Sequence, residues 1–255
     1  MRKPVIAGNW KMFKTVSESL AFLDKIIPGC SDIHRVKIII CPTFLSLASM
    51  AERVKGTNIC LGAQNIYWEK EGAFTGEISS YLLSELGISY VIIGHSERRG
   101  YFQETDKWVN NKIKSALNFN LKPIMCVGES LEEREKGLTH KVVKGQLAGG
   151  LKDIGLDQVE SITFAYEPIW AIGTGCSATS GDAQEVISFI RKWLTENYSE
   201  ETAQKAPLLY GGSVKPDNTG SLLEEEDIDG ALIGGASLKE DSFLEMVQIA
   251  SRHQG

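Results

Sequence analysis

The sequence lacks the features of proteins that bind nucleic acids, cross membranes or are secreted. Its formal net charge is -6, so no excess of positive charge favours nucleic acid or an anionic membrane as a partner. No apolar run approaches the roughly 18 residues that a membrane helix needs. The basic, briefly apolar start is interrupted by Asn9 and Lys11, which makes it too short for a signal-peptide core.

Cysteine is also scarce. The five cysteines are odd in number and none forms a Cys-x-x-Cys spacing, which argues against a disulfide framework and against a zinc site. This pattern fits a reducing compartment, so we expect a cytoplasmic protein without a bound metal.

Short apolar runs rich in β-branched residues recur along the 255-residue chain. Most are continuous rather than alternating, which is typical of strands buried on both faces of a parallel sheet. They are Val5–Ala7, Val36–Cys41, Ile59–Leu61, Tyr90–Ile93, Pro123–Val127, Ile162–Tyr166, Leu208–Tyr210 and Ala231–Ile233.

The stretches between these runs predict helices. Thr15-Val-Ser-Glu18 and Ser130-Leu-Glu-Glu133 have the capping-box pattern of a helix N-terminus. Three apolar stripes at helical spacing mark faces that would pack on the strands. The stripes are Leu20, Leu23 and Ile27; Val186, Ile190 and Leu194; and Phe243, Met246, Val247 and Ala250.

Eight strand-and-helix units predict an α/β fold, a single (β/α)8 barrel with eight parallel strands and one catalytic domain over residues 1–255. The alternative is a doubly wound open sheet. Such a sheet often carries a GxGxxG fingerprint after its first strand, whereas this chain has Gly8-Asn-Trp-Lys11 there.

In such barrels the catalytic and binding residues lie at the carboxyl ends of the strands. The polar residues that follow the eight apolar runs are therefore candidate site residues. Closure of the barrel would bring them to one rim. They are Asn9, Lys11, Gln64, Asn65, His95, Glu129, Glu167, Ser213, Gly234 and Gly235.

Glu167 is the candidate general base, because desolvation at a strand end raises the proton affinity of a carboxylate. A helix-capping or salt-bridged glutamate is the alternative. The next segment, Pro168–Gly175, is apolar yet bounded by proline and glycines. That composition favours a lid that closes over a ligand rather than an ordinary loop packed on the barrel.

Two other side chains have possible catalytic roles. His95 would lie near a helix N-terminus, where the helix dipole disfavours a charged imidazole and a neutral ring could donate to an oxyanion. A structural hydrogen bond is its alternative role. Lys11 could bind a phosphate and offset negative charge. The alternative is a solvent-exposed lysine without a functional role, which is the commonest case.

Two glycine turns, Tyr210-Gly-Gly-Ser-Val214 and Ile233-Gly-Gly-Ala236, follow the last two strands. Glycines let backbone N–H groups approach an anion, and these two loops form the usual phosphate site of (β/α)8 barrels. Either could be a plain tight turn, but their joint placement, with Gly173 of the lid, indicates a phosphate site.

Five motifs, in order and spread over essentially the full chain, resemble the triosephosphate isomerase family. They are Gly8-Asn-Trp-Lys11, Gly94-His-Ser-Glu97-Arg-Arg99, Ala165-Tyr-Glu-Pro-Ile-Trp-Ala-Ile-Gly-Thr-Gly175, Tyr210-Gly-Gly-Ser-Val214 and Ile233-Gly-Gly-Ala236. The resemblance implies a TIM barrel that interconverts dihydroxyacetone phosphate and glyceraldehyde 3-phosphate through an enediolate, in glycolysis and gluconeogenesis, with no cofactor.

The resemblance also implies residue roles. Glu167 would move a proton between two adjacent substrate carbons, and His95 would polarise the carbonyl and move protons between the enediolate oxygens. Lys11 would stabilise negative charge beside Asn9, with Glu97 in support. Backbone N–H groups that would hold the phosphate belong to Gly173, Ser213, Gly234 and Gly235.

The family is usually a homodimer. The segment Gln64–Glu77 resembles the loop that inserts into the partner subunit, which would place Thr75 near the partner's Asn9 and Lys11. One departure from the family lies at the second lid hinge, where Cys176-Ser-Ala178 stands in place of the usual Lys-Thr-Ala.

Two competing functions are open at this stage. Another phosphate-binding barrel could act on a larger sugar phosphate or as a Schiff-base aldolase, but the nearest barrel lysine, Lys122, begins strand five and so lies at the wrong end. A non-catalytic relative is the other possibility, and it would be expected to lose Glu167 or His95, both of which are present.

Overall fold

Eight parallel strands form a closed barrel in the order β1 to β8, each hydrogen-bonded to the next and β8 to β1. The computed structural model describes residues 2–171 and 178–253. The (β/α)8 prediction is confirmed, with strand ends that shift by at most two residues. The strands are β1 Val5–Asn9, β2 Lys37–Cys41, β3 Ile59–Ala63, β4 Tyr90–Ile93, β5 Lys122–Val127, β6 Thr163–Tyr166, β7 Leu208–Tyr210 and β8 Gly230–Ile233.

Helices surround the barrel. Within the described residues they are α1 Val16–Cys30, α2 Phe44–Arg53, α3 Ser80–Glu85, α4 Ser96–Phe102, α5 Asp106–Asn118, α6 Leu131–Glu135, α7 Thr139–Gly150, α8 Leu156–Val159, α9 Ser180–Asn197, α10 Glu200–Lys205, α11 Pro216–Leu223 and α12 Glu240–Arg252. Short 3-10 turns occupy Ile169–Ala171 and Gly235–Leu238. None of the helices described here is long and apolar enough to cross a membrane.

Local sequence signals set where several helices begin and which face they bury. Both predicted capping boxes form, at Thr15 and at Ser130. The stripes predicted on α9 and α12 are buried. On α1 the buried face is instead centred on Phe22 and Ile26, because the Phe22 ring packs edge-on against Trp10 with ring centroids 4.9 Å apart.

Alternation along the strands separates two apolar layers. Odd-numbered positions of β1 and β2 face the barrel interior, whereas the intervening residues pack against the helices. The interior layer consists of Val5, Ala7, Ile39, Cys41, Tyr90, Ile92, Ile124, Cys126, Ala165, Leu209 and Leu232. Continued by two residues toward the carboxyl ends, the same alternation reaches Asn9 on β1 and Glu167 after β6. The fold therefore aims these two polar side chains at the barrel axis.

Candidate active site

A cavity of about 240 Å³ opens at the carboxyl ends of the strands. It gathers seven of the residues predicted from strand ends: Asn9, Lys11, His95, Glu167, Ser213, Gly234 and Gly235. Gly211, Gly212, Val214 and Leu232 complete its lining. Gly211, Gly212 and Val214 belong to the turn after β7 that the sequence predicts. Gly173, the remaining predicted phosphate ligand, lies outside the described residues, as does Cys176.

Glu167 lies at the centre of this cavity and is only 2% exposed. Its Oε1 atom is 2.9 Å from His95 Nε2, and its Oε2 accepts a 2.9 Å hydrogen bond from the backbone N–H of Ser96. Burial alone would raise the pKa of this carboxyl, but the His95 ring, the Ser96 N–H and the Lys11 ammonium together lower it. The carboxylate is therefore ionised at neutral pH and ready to accept a proton.

His95 caps the N-terminus of α4, and this position decides which ring nitrogen carries the proton. Its Nδ1 accepts a 3.2 Å hydrogen bond from the backbone N–H of Glu97. Since an accepting nitrogen holds no proton, the hydrogen of the neutral ring resides on Nε2 and points to Glu167. Burial lowers the pKa of His95, but the Glu167 and Glu97 carboxylates outweigh it and raise the pKa overall.

Lys11 brings a positive charge to the same cavity. Its Nζ lies 2.7 Å from a carboxylate oxygen of Glu97. The backbone of Lys11 is left-handed, with φ of 51°, and two neighbours hold it there. Asn9 Oδ1 accepts the Lys11 N–H at 3.1 Å, and Gln64 Nε2 donates to the Lys11 carbonyl at 2.8 Å. Gln64 thus acts as a support of the rim rather than as part of the cavity wall.

The two glycine turns form another part of the cavity wall, and Gly234 lies next to the Lys11 side chain. The Gly211 N–H donates to the Tyr166 carbonyl at 2.7 Å, which ties the turn after β7 to the strand that leads to Glu167. A methyl group on Gly212 would come 2.2 Å from the Tyr210 hydroxyl, so only glycine fits. Across the cavity, Ser237 donates both its N–H and its hydroxyl to the Gly234 carbonyl. Both turns are thereby held rigid, with small residues facing the cavity.

Glu129 does not line the cavity but holds the segment that follows Glu167. Its buried carboxylate accepts hydrogen bonds from the Tyr166 hydroxyl at 3.1 Å and from Trp170 Nε1 at 2.9 Å. The Glu129 carbonyl also accepts the N–H of Ile169. The described start of the predicted lid, up to Ala171, is therefore anchored to the end of β5.

A buried ion-pair network behind His95 was not predicted from the sequence. Glu104 is buried, with 4% of its surface exposed. Its carboxylate accepts hydrogen bonds from the Gly94 N–H at 3.0 Å and from the Arg98 Nε–H at 2.8 Å. The same carboxylate forms an ion pair with Lys112. Lys112 also donates to Asn65 at 2.7 Å, which makes Asn65 structural. Burial raises the pKa of Glu104, but Lys112 and Arg98 outweigh it and lower the pKa. The ionised network fixes the turn that carries His95.

Comparison with known proteins agrees with this geometry. A family model described as triosephosphate isomerase matches residues 4–250. The triosephosphate isomerase of Carboxydothermus hydrogenoformans is 53% identical over 97% of this chain and 99% of its own length. That of Endomicrobium trichonymphae is 52% identical over 97% of this chain and 99% of its own length.

Solved structures agree as well. The crystal structure of triosephosphate isomerase from Bartonella henselae matches with a TM-score of 0.88 and 43% identity, covering 97% of this chain and 98% of that one. Similarity of this extent, in sequence and in structure, covers every strand of the barrel and every residue of the cavity. The chain belongs to the triosephosphate isomerase family.

Proposed function

We propose that the cavity at the barrel rim carries out the reaction of the family through Glu167, His95 and Lys11. As a triosephosphate isomerase family member, the chain interconverts dihydroxyacetone phosphate and glyceraldehyde 3-phosphate. The observation that carries the residue assignment is the pairing of the buried Glu167 carboxylate with the His95 imidazole inside a small cavity at the barrel rim. The larger-substrate alternative receives no support, since about 240 Å³ suits a small ligand.

Glu167 acts as the base. It takes a proton from C1 of dihydroxyacetone phosphate, and the electrons of the broken C–H bond move into the C2 carbonyl to give an enediolate. The same carboxyl then returns a proton to C2, which yields the aldehyde. Its present hydrogen bonds to Ser96 and His95 can be exchanged for contact with the substrate, because both partners border the cavity.

His95 stabilises the oxygens of the enediolate. Its Nε2–H is aimed into the cavity and donates to the oxygen on which negative charge develops. A neutral imidazole is the better match here, since its pKa as a donor is closer to that of an enediol than the pKa of an imidazolium is. This tuning of the imidazole is a known property of triosephosphate isomerases, and we carry it over to His95 from the family. The ring also moves the proton from one oxygen to the other.

Lys11 and the glycine turns bind the phosphate group of the substrate, and Lys11 also offsets the negative charge of the enediolate. The Lys11 ammonium lies on the cavity wall beside Asn9 and near Gly234, where it can contact both the phosphate and the enediolate. Backbone N–H groups of Ser213, Gly234 and Gly235 would bind the phosphate oxygens, with Gly173 joining them from the lid. No group in this set requires a metal ion or an organic cofactor.

The test of this function is steady-state isomerisation of glyceraldehyde 3-phosphate by the purified chain in the presence of a metal chelator. We expect rapid turnover that the chelator leaves unchanged, because all proposed charge stabilisation comes from side chains and backbone N–H groups. A folded protein that binds a substrate analogue without turnover would contradict the proposal and favour a non-catalytic relative.

We further propose that the protein is a homodimer. Several large apolar side chains are exposed in the segments that follow strands β1, β2 and β4: Met12, Phe13, Phe44, Leu45, Tyr101 and Phe102. Exposed methionine and aromatic side chains of this kind are typical of an interface. Beside them, residues 69–77 of the loop after β3 are all exposed, and the loop is ordered by Tyr67, whose ring lies 4.7 Å from that of Phe74. Such a projection, with Thr75 near its tip, is suited to insertion into a partner.

A charge placed on this surface should separate the subunits. Leu45, 83% exposed on α2, is the position for the substitution Leu45→Lys. We expect light scattering coupled to size exclusion to give a dimer for the native chain and a monomer with greatly reduced kcat for the variant, because Thr75 no longer reaches a partner's Lys11. Leu156→Lys, an exposed leucine on α8 at the other end of the barrel, should leave both properties unchanged. A monomeric native chain with full activity would contradict the proposal.

We propose a cytoplasmic location and one catalytic domain over residues 1–255. The cysteines of the described residues, Cys30, Cys41, Cys60 and Cys126, are free thiols, which supports a reducing compartment. The closed barrel draws its strands from residues 5 to 233, which supports a single domain.

A further inference from the structure

A second cavity, of about 530 Å³, lies at the amino-terminal mouth of the barrel, at the opposite end from the active site. It is lined by residues at the starts of the strands and by three residues of α10: Arg2, Lys3, Val5, Lys37, Tyr90, Thr163, Pro207, Glu201, Gln204 and Lys205. Because strand side chains alternate, the inward positions that precede the interior core of the barrel face this mouth. Three of those positions carry lysine: Lys3 before Val5, Lys37 before Ile39, and Lys122 before Ile124.

These three lysines differ from the other cations nearby. Arg2 pairs with Asp229, and Lys205 lies 2.8 Å from Glu201 and 3.1 Å from Glu160. By contrast, no carboxylate of residues 2–171 and 178–253 forms an ion pair with Lys3, Lys37 or Lys122. Other lysines of the described residues, such as Lys144, also lack an ion pair, but Lys3 and Lys37 are set apart because they line this cavity.

The hydroxyl groups of two buried residues border the same space. Tyr90 and Thr163 line the mouth, are 5% and 4% exposed, and have no hydrogen-bond partner for their hydroxyls among the described residues. Burial and the neighbouring Cys60 raise the pKa of Tyr90 to about 12, so its hydroxyl keeps its proton. Neither hydroxyl oxygen is among the fully buried, unpartnered atoms of the described residues, so each is accessible from the cavity and can donate a hydrogen bond into it.

The register of the sheet brings these groups together. Tyr90 on β4 is paired with Lys122 on β5, and the Lys122 ammonium lies 5.9 Å from the Tyr90 ring centre. Thr163 on β6 is paired with Ile124, the next inward residue of β5. Val5 on β1 is paired with Lys37 on β2. Lys3 and Lys37 therefore line the mouth together with two neutral donors, and Lys122 lies beside one of them, which is an arrangement suited to an oxyanion.

We propose that the amino-terminal mouth of the barrel is a second binding site, distinct from the active site, for a small molecule that carries phosphate groups. Lys3 and Lys37 supply charge from the cavity lining and Lys122 from its place beside Tyr90, and Tyr90 and Thr163 donate hydrogen bonds to the phosphate oxygens. Three unpaired cations favour a ligand with more than one negative charge. The volume, about twice that of the active-site cavity, admits a molecule larger than a triose phosphate.

The test is calorimetric titration of the full chain with inorganic pyrophosphate at low ionic strength, with the active site kept saturated by the equilibrated triose phosphates. We expect one remaining site per chain. Lys37→Gln should weaken it by about tenfold or more, the usual effect of removing a charge-assisted hydrogen bond. Thr163→Val, which keeps the shape of the side chain, should weaken it several-fold. Both variants should keep native isomerase activity, which shows that they fold and that this site is separate.

Lys144→Gln is the matched control, because Lys144 is an exposed lysine on α7 away from the mouth. It should leave pyrophosphate binding unchanged. Three results would overturn the proposal: no pyrophosphate binding once the active site is saturated, remaining binding that Lys37→Gln and Thr163→Val do not weaken, or equal weakening by Lys37→Gln and Lys144→Gln. Equal weakening would mean that pyrophosphate is attracted to the positive charges of the surface in general and not to a specific site.

Discussion

Glu167→Gln should lower kcat by about 10³-fold, within the range of about 10²–10⁴ that general-base catalysis contributes. The amide keeps the shape of the carboxylate and can still contact Ser96 and His95, but it cannot accept a proton from carbon. The lowered pKa of Glu167 makes the loss visible over the whole neutral range, because the native side chain is ionised there. KM should change little, since the groups proposed to bind the phosphate, Lys11 and the glycine turns, are unchanged.

The control for this substitution is Glu135→Gln, at an exposed glutamate of α6. Its kinetics should match those of the native chain. Circular dichroism and thermal unfolding of both variants show whether the fold is retained. A folded Glu167→Gln variant with native kcat would exclude Glu167 as the base and leave the chemistry to another group in the cavity.

Gly128→Ala should destabilise the chain and misplace the base at the same time. A methyl group on Gly128 would lie 1.8 Å from the backbone oxygen of Glu167, far inside van der Waals contact. The obstacle is backbone rather than a movable side chain, so the ends of β5 and β6 would have to separate. We expect a loss of about 3 kcal/mol in the free energy of unfolding, the upper part of the usual overpacking range. Activity should fall together with it, because the shift moves Glu167 itself.

Gly145→Ala provides the comparison. Gly145 lies within α7, and a methyl group there has no neighbour within 4 Å. Alanine is favoured over glycine in helices by about 1 kcal/mol, so this variant should be as stable as the native chain or more so. Chemical denaturation of the three proteins measures the difference. Equal stability of Gly128→Ala and Gly145→Ala would show that the ends of β5 and β6 are not in close contact.

The barrel itself could be predicted because its strands are buried on both faces and so appear as continuous apolar runs. The predicted β1 stopped at Ala7 and the predicted β3 at Leu61, whereas the strands continue through Gly8–Asn9 and Gly62–Ala63. These polar and small residues interrupt the apolar pattern in the sequence, but the backbone hydrogen bonds between neighbouring strands continue through them. The rim residues were predictable for a related reason: the fold rule places function directly after each strand.

The contacts that tune the site could not be read from the sequence. The pair of Glu104 and Lys112, and the Ser96 N–H on Glu167, join residues whose approach depends on how strands and helices pack. The protonated nitrogen of His95 likewise follows from a backbone N–H that only the helix start orients. Motif spacing identified the residues of the site, whereas their partners required three-dimensional structure.

The most direct test of the proposed proton transfer is isomerisation of dihydroxyacetone phosphate in D₂O, followed by NMR of the products. If Glu167 removes the C1 proton and exchanges it with solvent before returning it, glyceraldehyde 3-phosphate carries deuterium at C2. The recovered dihydroxyacetone phosphate then carries deuterium at C1, and the Glu167→Gln variant incorporates far less of it in the same time. Equal rates of deuterium incorporation by the native chain and by a folded Glu167→Gln variant would contradict the role proposed for Glu167.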